Sequence, residues 1–148
     1  MNEDRARKAL AEELVQAIRL QAASWMGADA SIARYDGRDV VTESTRLALW
    51  RLGYGHLDPT GRAEPAHLKW PVRDEVPEPA AAARLGDLVR RHRAEAAAID
   101  GVDPVRAAVL RAKADMISEC LFEAGYDQSG KIRSPEAAEP QRMPCDRR

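Results

Sequence analysis

The chain has few of the residues that mark specialised protein classes. It contains two cysteines, one phenylalanine and no apolar run long enough to cross a bilayer. Cys120 falls in a predicted helix and Cys145 in a polar C-terminal stretch, so we expect no structural disulfide. The N-terminal residues are charged and lack a signal-like apolar segment. We therefore expect a cytoplasmic protein without a membrane-spanning helix.

Neither sign of charge dominates the composition. The 23 Lys and Arg residues nearly balance the 24 Asp and Glu residues, which gives a formal net charge of −1. No overall electrostatic field therefore directs the chain toward nucleic acid or anionic membranes. Nucleic-acid binding has to be judged from local patterns.

Alanine is abundant, with 27 of the 148 residues. Because an alanine side chain buries little apolar area, hydrophobic stabilisation per residue is lower than in a typical domain. A homodimer interface could supply burial that one chain lacks, so a homodimer is one hypothesis for this protein.

Apolar residues recur with helical spacing in most of the chain. The pattern predicts an all-α fold with four main helices in a single domain, residues 1–133. Asp103-Pro104 is typical of a helix start, and the predicted stops are glycines that follow apolar turns. The predicted helices cover residues 2–26, 43–52, 80–99 and 104–124.

Three other segments do not follow this pattern. Residues 31–42 contain Asp-Gly between short apolar runs, which favours a β-hairpin; the alternative is a helix broken at Gly37. Residues 55–79 hold five prolines, and Trp70 among them favours a loop packed on the core over a free linker. Residues 134–148 are poor in apolar groups and are predicted to be a disordered tail.

The chain also contains two similar halves, residues 1–62 and 80–133, joined by the proline-rich loop. Gly53-Tyr54 corresponds to Gly125-Tyr126, and both pairs precede an Asp-x-Thr/Ser-Gly turn that ends in a basic residue. A duplicated helical pair with a pseudo-twofold axis is one explanation. The alternative is coincidence, because such helix ends and turns are common separately.

Catalytic and metal-binding patterns are weak. The three histidines lack a His-x-x-x-His spacing and no Cys-x-x-Cys occurs, so we expect no zinc site and no other cofactor. His92 falls on the apolar face of the third predicted helix, where a core histidine is more common than a catalytic one. Asp115, Glu119 and Glu123 form a ladder that could bind magnesium in a small metal-dependent hydrolase, although a solvated acidic face explains it more simply. No catalytic residue is predicted.

Nucleic-acid binding is the main alternative to protein binding. The third and fourth predicted helices contain several arginines, but helical geometry spreads them around the surface instead of forming one stripe. A nucleic-acid-binding accessory protein therefore stays a weaker hypothesis.

By elimination, the sequence predicts a non-enzymatic interaction or regulatory protein that binds another protein. Loop aromatic and basic residues are the best contact candidates because such side chains dominate many interfaces. The candidate binding residues are Tyr54, His56, Arg62, Trp70, Tyr126 and Lys131.

Overall fold

The computed structural model describes residues 3–24, 37–65 and 78–133. These residues form an all-α fold, which confirms the predicted fold class. An isolated antiparallel bridge between Tyr126 and Ile132 is the β-type pairing seen in the described ranges. The elements are α1 (Glu3–Ser24), α2 (Arg38–Arg51), a short 3-10 helix (Gly55–Leu57), α3 (Pro79–Ile99) and α4 (Pro104–Glu123).

Local sequence signals place α3 and α4 within two residues of their predicted bounds. Asp103 caps α4, since its carboxylate accepts a 3.1 Å hydrogen bond from the backbone N–H of Arg106. Pro104 occupies the first turn of α4, where backbone N–H groups have no partner within the helix. The N–H that proline lacks therefore costs no hydrogen bond.

Helix α2 begins five residues earlier than predicted, and the second strand of the proposed hairpin is wrong. Gly37 has a left-handed φ of 81° and precedes the first helical residue, Arg38. Val40 and Val41 are therefore helical, and Val40 is fully buried against α3 and α4. Burial of this turn outweighs the local hairpin preference of Asp-Gly. The first strand of the proposed hairpin, residues 31–36, lies outside the described residues.

Helices α2 and α4 pack together at the centre, with α1 against α2 and α3 against α4. Residues 42–49 of α2 are all buried, although five of them, residues 42–46, are polar or charged. One apolar cluster joins α1, the end of α2 and the first half of α4. A second joins the start of α2, α3 and the second half of α4.

Several predictions concern segments that the structure does not describe. They include most of the proline-rich loop, at residues 66–77 with Trp70, and the C-terminal stretch 134–148 with Cys145. Among the described helices, none combines the length and hydropathy needed to span a membrane.

Candidate functional site

A buried arginine lies beneath the loop that follows α2. Arg46 is 1 % exposed, and all three of its guanidinium nitrogens donate hydrogen bonds. Nε donates to Asp58 Oδ2 at 2.7 Å, and Nη1 donates to the two carboxylate oxygens of Glu43 at 2.9 and 2.8 Å. Nη2 donates to the backbone carbonyl of Ala63 at 2.5 Å. This geometry satisfies a charge whose burial would otherwise be strongly unfavourable.

Asp58 connects this network to the loop. Its Oδ2 atom also accepts a 3.0 Å hydrogen bond from Trp50 Nε1. Its Oδ1 atom accepts hydrogen bonds from the backbone N–H and the hydroxyl of Thr60, at 2.9 and 2.7 Å. Burial raises the pKa of Asp58, but hydrogen bonds from Trp50, Thr60 and Arg46 outweigh it, so the net shift is downward. The carboxylate stays ionised and holds the turn closed.

The end of α2 directs the chain back over this network. Gly53 has a φ of 94°, and the Tyr54 N–H donates to the carbonyl of Leu49 at 3.2 Å, which closes the helix. Gly55 then lies against the indole ring of Trp50, where an added Cβ would be 2.2 Å from ring carbons. Only glycine permits this close approach.

Residues 54–62, hereafter the 54–62 loop, combine a fixed backbone with an exposed face. The rings of Tyr54 and His56 stack with centroids 6.0 Å apart, and Tyr54 also packs against the first apolar cluster. His56 and Leu57 are exposed. Arg62 donates a 2.8 Å hydrogen bond to Glu43 while its side chain remains 55 % exposed. Three predicted contact residues therefore belong to one ordered loop.

The second Gly-Tyr corner has the same local geometry but a different environment. Asp127 Oδ1 accepts hydrogen bonds from the N–H and hydroxyl of Ser129, as Asp58 does from Thr60. However, an added Cβ on Gly86 would lie 2.1 Å from the Ser129 carbonyl, so this turn packs directly on α3. Tyr126 is buried in the second apolar cluster, whereas Lys131 is exposed. The duplication of the two halves stays a prediction.

Sequence reasoning missed the buried network. Glu43 and Arg46 are three residues apart in the predicted helix 43–52, and this oppositely charged pair was the available signal. Their partner Asp58 was seen only as a turn residue. Trp50 falls in the predicted helix 43–52, but helical spacing alone does not indicate its hydrogen bond to Asp58.

The alternative chemistries find less support in the described residues. No group of three His, Cys, Asp or Glu side chains there could hold a metal ion. Within the acidic ladder, Asp115 pairs with Arg93 at 3.4 Å. His92 of α3 is half-buried, and burial, with the charges of Lys113 and Arg91, lowers its pKa to about 4.

Acidic neighbours accompany most of the arginines of α3 and α4. These ion pairs are exposed and contribute little to stability. They nevertheless reduce the local positive field that nucleic-acid binding requires. The pairs are Arg90 and Arg91 with Asp87, Arg93 with Asp115, Arg106 with Glu13, and Arg111 with Asp100.

Similarity to known proteins assigns no function. The chain matches no protein-family model, no curated protein and no solved structure. The 54–62 loop stands out through its own contacts, since a buried ionic network fixes an exposed surface there.

Proposed function

We propose that this chain is a non-enzymatic regulatory protein that binds another protein through the 54–62 loop. The observation that carries the proposal is the buried hydrogen-bond network between Arg46 and Asp58, directly beneath that loop. A binding surface that is already ordered loses less conformational entropy when it meets its partner.

The position of the network supports this interpretation. A buried ion pair often contributes no more stability than well-packed apolar residues would. Here the charged groups join α2 to the turn at Asp58 and to the backbone at Ala63, so their main effect is to fix the loop.

The contrast between the two turns gives further support. The turn at Asp127 packs against α3 through Gly86, and its conformation serves internal packing. An added Cβ on Gly61, in the turn at Asp58, would meet no atom within 4 Å among the described residues. The exposed turn is therefore the one available to a partner. Tyr and Arg, both present in the 54–62 loop, are enriched among residues that dominate interface energies.

Site-specific crosslinking in extracts of the source cells tests the proposal. A photo-reactive residue at Leu57 should capture a protein that the same residue at Val102, an exposed site between α3 and α4, does not. The captured protein is then purified, and its Kd is measured for the unmodified chain and for variants. We expect the double variant His56→Ala and Arg62→Ala to weaken binding by at least about tenfold.

Arg111→Ala is the matched control, because Arg111 is also a surface arginine paired with one carboxylate. It should leave the Kd unchanged. Equal labelling from positions 57 and 102, or equal loss of affinity in the loop and control variants, would refute binding through this loop.

The homodimer and the cytoplasmic location belong to the same proposal. The alanine-rich core is the argument for a dimer, because each chain has little apolar area to bury. Light scattering at micromolar concentration should then give twice the chain mass of 16.3 kDa. A mass of one chain at every concentration would refute the homodimer. Binding through the 54–62 loop would still be tested by the crosslinking experiment.

A further inference from the structure

A pocket of about 480 Å³ opens between the start of α2 and the first half of α3. This volume falls within the range of about 300–1,000 Å³ that is typical of small-molecule sites. The described residues that line it are three arginines, one glycine and four apolar residues, and none is acidic. They are Gly37, Arg38, Val41, Ala81, Arg84, Leu85, Leu88 and Arg91.

Helical geometry explains why the arginines surround an apolar surface. Arg84, Leu88 and Arg91 follow i, i+4, i+7 spacing and share one face of α3. Arg38, in the first turn of α2, lines the pocket from the other helix, and its Nη1 atom donates a 2.9 Å hydrogen bond to the Ser24 carbonyl at the end of α1. This contact helps to fix the position of its guanidinium group.

The two arginines of α3 retain hydrogen-bonding capacity. Arg84 is exposed and has no polar partner among the described residues. Arg91 donates from Nε to Asp87 at 3.0 Å, but its side chain is 68 % exposed and its terminal nitrogens make no hydrogen bond within the described ranges. Asp87 pairs with both Arg90 and Arg91, so it offsets only part of the charge of Arg91.

This combination specifies the chemistry of a ligand. A guanidinium group presents paired N–H donors that match the oxygens of a carboxylate or phosphate. The side chains of Val41, Leu85 and Leu88 have no polar group that could bind a hydrated inorganic ion, but they can bury an aliphatic chain. The pocket near Arg7 and Arg51, in contrast, includes Glu3 and is smaller, at about 270 Å³.

We propose that this pocket binds a small amphiphilic anion, with an oxyanion head at Arg84 and Arg91 and an aliphatic tail among Val41, Leu85 and Leu88. None of its lining residues belongs to the 54–62 loop. The proposal is therefore independent of protein binding by that loop.

Calorimetric titration of the full chain with octanoate, below its micelle-forming concentration, tests the pocket. We expect saturable binding of one octanoate per chain, at least about tenfold tighter than that of acetate or 1-octanol, because head and tail are both needed. Octyl phosphate distinguishes a carboxylate site from a phosphate site within the same chemistry. Tighter binding of either anion supports the proposal.

Variants locate the binding. Arg84→Gln should weaken octanoate binding by about tenfold or more, since it removes a charged donor from an exposed position. Arg90→Gln is the control on the same helix, because Arg90 is exposed and does not line this pocket. Urea denaturation of both variants checks that the fold is unchanged.

Three results would overturn the proposal. The first is that neither octanoate nor octyl phosphate binds more tightly than acetate, inorganic phosphate and 1-octanol. The second is equal weakening by Arg84→Gln and Arg90→Gln, which would indicate non-specific attraction. The third is retention on duplex DNA that falls steeply with salt, depends on Arg84 and is not displaced by octanoate, which would assign the arginines to nucleic-acid binding.

Discussion

The Nε atom of Arg46 donates a 2.7 Å hydrogen bond to Oδ2 of Asp58, and each of the two side chains is only 2 % exposed. The two residues are separated by the end of α2 and by the short 3-10 helix. Their contact therefore determines where the chain returns to α2 and how the 54–62 loop is presented to solvent.

Arg46→Met should lower the free energy of unfolding by about 3–5 kcal/mol. The substitution keeps most of the apolar volume but leaves Asp58 buried without its cationic partner and leaves Glu43 paired with Arg62 instead of Arg46. Urea denaturation followed by circular dichroism measures the change.

Arg62→Met is the control for that variant. Arg62 contacts the same Glu43 carboxylate, but it is 55 % exposed, so its loss should change stability by about 0–1 kcal/mol. Equal effects of the two substitutions would show that the buried network does not hold the loop.

Local chemistry was sufficient to predict the helices but not the network. Asp103-Pro104 marks the start of α4 through contacts within one turn. The Arg46–Asp58 pair depends on a chain reversal that requires the Trp50 indole to lie against Gly55, and no local pattern encodes that approach. At Gly37, the hairpin signal was overridden by the burial of Val40 between helices.

The two Gly-Tyr corners also show that a local sequence pattern does not predict which elements pack around it. Tyr54 and Tyr126 follow similar helix ends, and each Tyr N–H bonds to the carbonyl five residues earlier. Tyr126 is nevertheless buried, because α3 lies beside the second turn, while Tyr54 is half-exposed. Sequence similarity predicted the turns but not their surroundings.

The helix cap at Asp103 gives a prediction based on one hydrogen bond. Asp103→Ala removes the acceptor of the Arg106 N–H and should reduce stability by about 1 kcal/mol. Asp100→Ala is the control, because the side-chain interaction of Asp100 within the described residues is an exposed ion pair with Arg111 at 3.4 Å. A comparable loss in both variants, measured by thermal denaturation, would contradict a capping role.

His92 should make stability depend on pH in mildly acidic solution. Burial, with the charges of Lys113 and Arg91, lowers its pKa from 6.5 to about 4 in the folded chain. Between these values the unfolded chain binds a proton that the folded chain does not, so the free energy of unfolding falls as pH decreases. Above pH 6.5 both states are neutral at this residue, and the effect disappears.

Urea denaturation at about pH 7 and about pH 5 measures this dependence, before most carboxylates titrate. His92→Leu should reduce the loss of stability between the two pH values. His56→Leu should retain it, because His56 is exposed in the 54–62 loop. An unchanged pH dependence in His92→Leu would assign the effect to another group.

Gly86→Ala should destabilise the protein, although the same change in an unobstructed helix stabilises it by roughly 0.5–1 kcal/mol. Gly86 lies within α3, and an added Cβ would be 2.1 Å from the carbonyl carbon and oxygen of Ser129. These are backbone atoms and cannot rotate away, so the turn must shift. We expect a loss of about 1–3 kcal/mol in the free energy of unfolding.

Gly101→Ala is the control that separates the steric clash at Gly86 from the effect of replacing any glycine by alanine. An added Cβ there would meet nothing within 4 Å among the described residues, and Gly101 has no positive φ, so the change should be nearly neutral. Stabilisation by Gly86→Ala in urea denaturation would mean that the turn at Asp127 does not pack on α3. Both turns would then be equally free, and no difference in packing would favour the 54–62 loop over the turn at Asp127 as the binding surface.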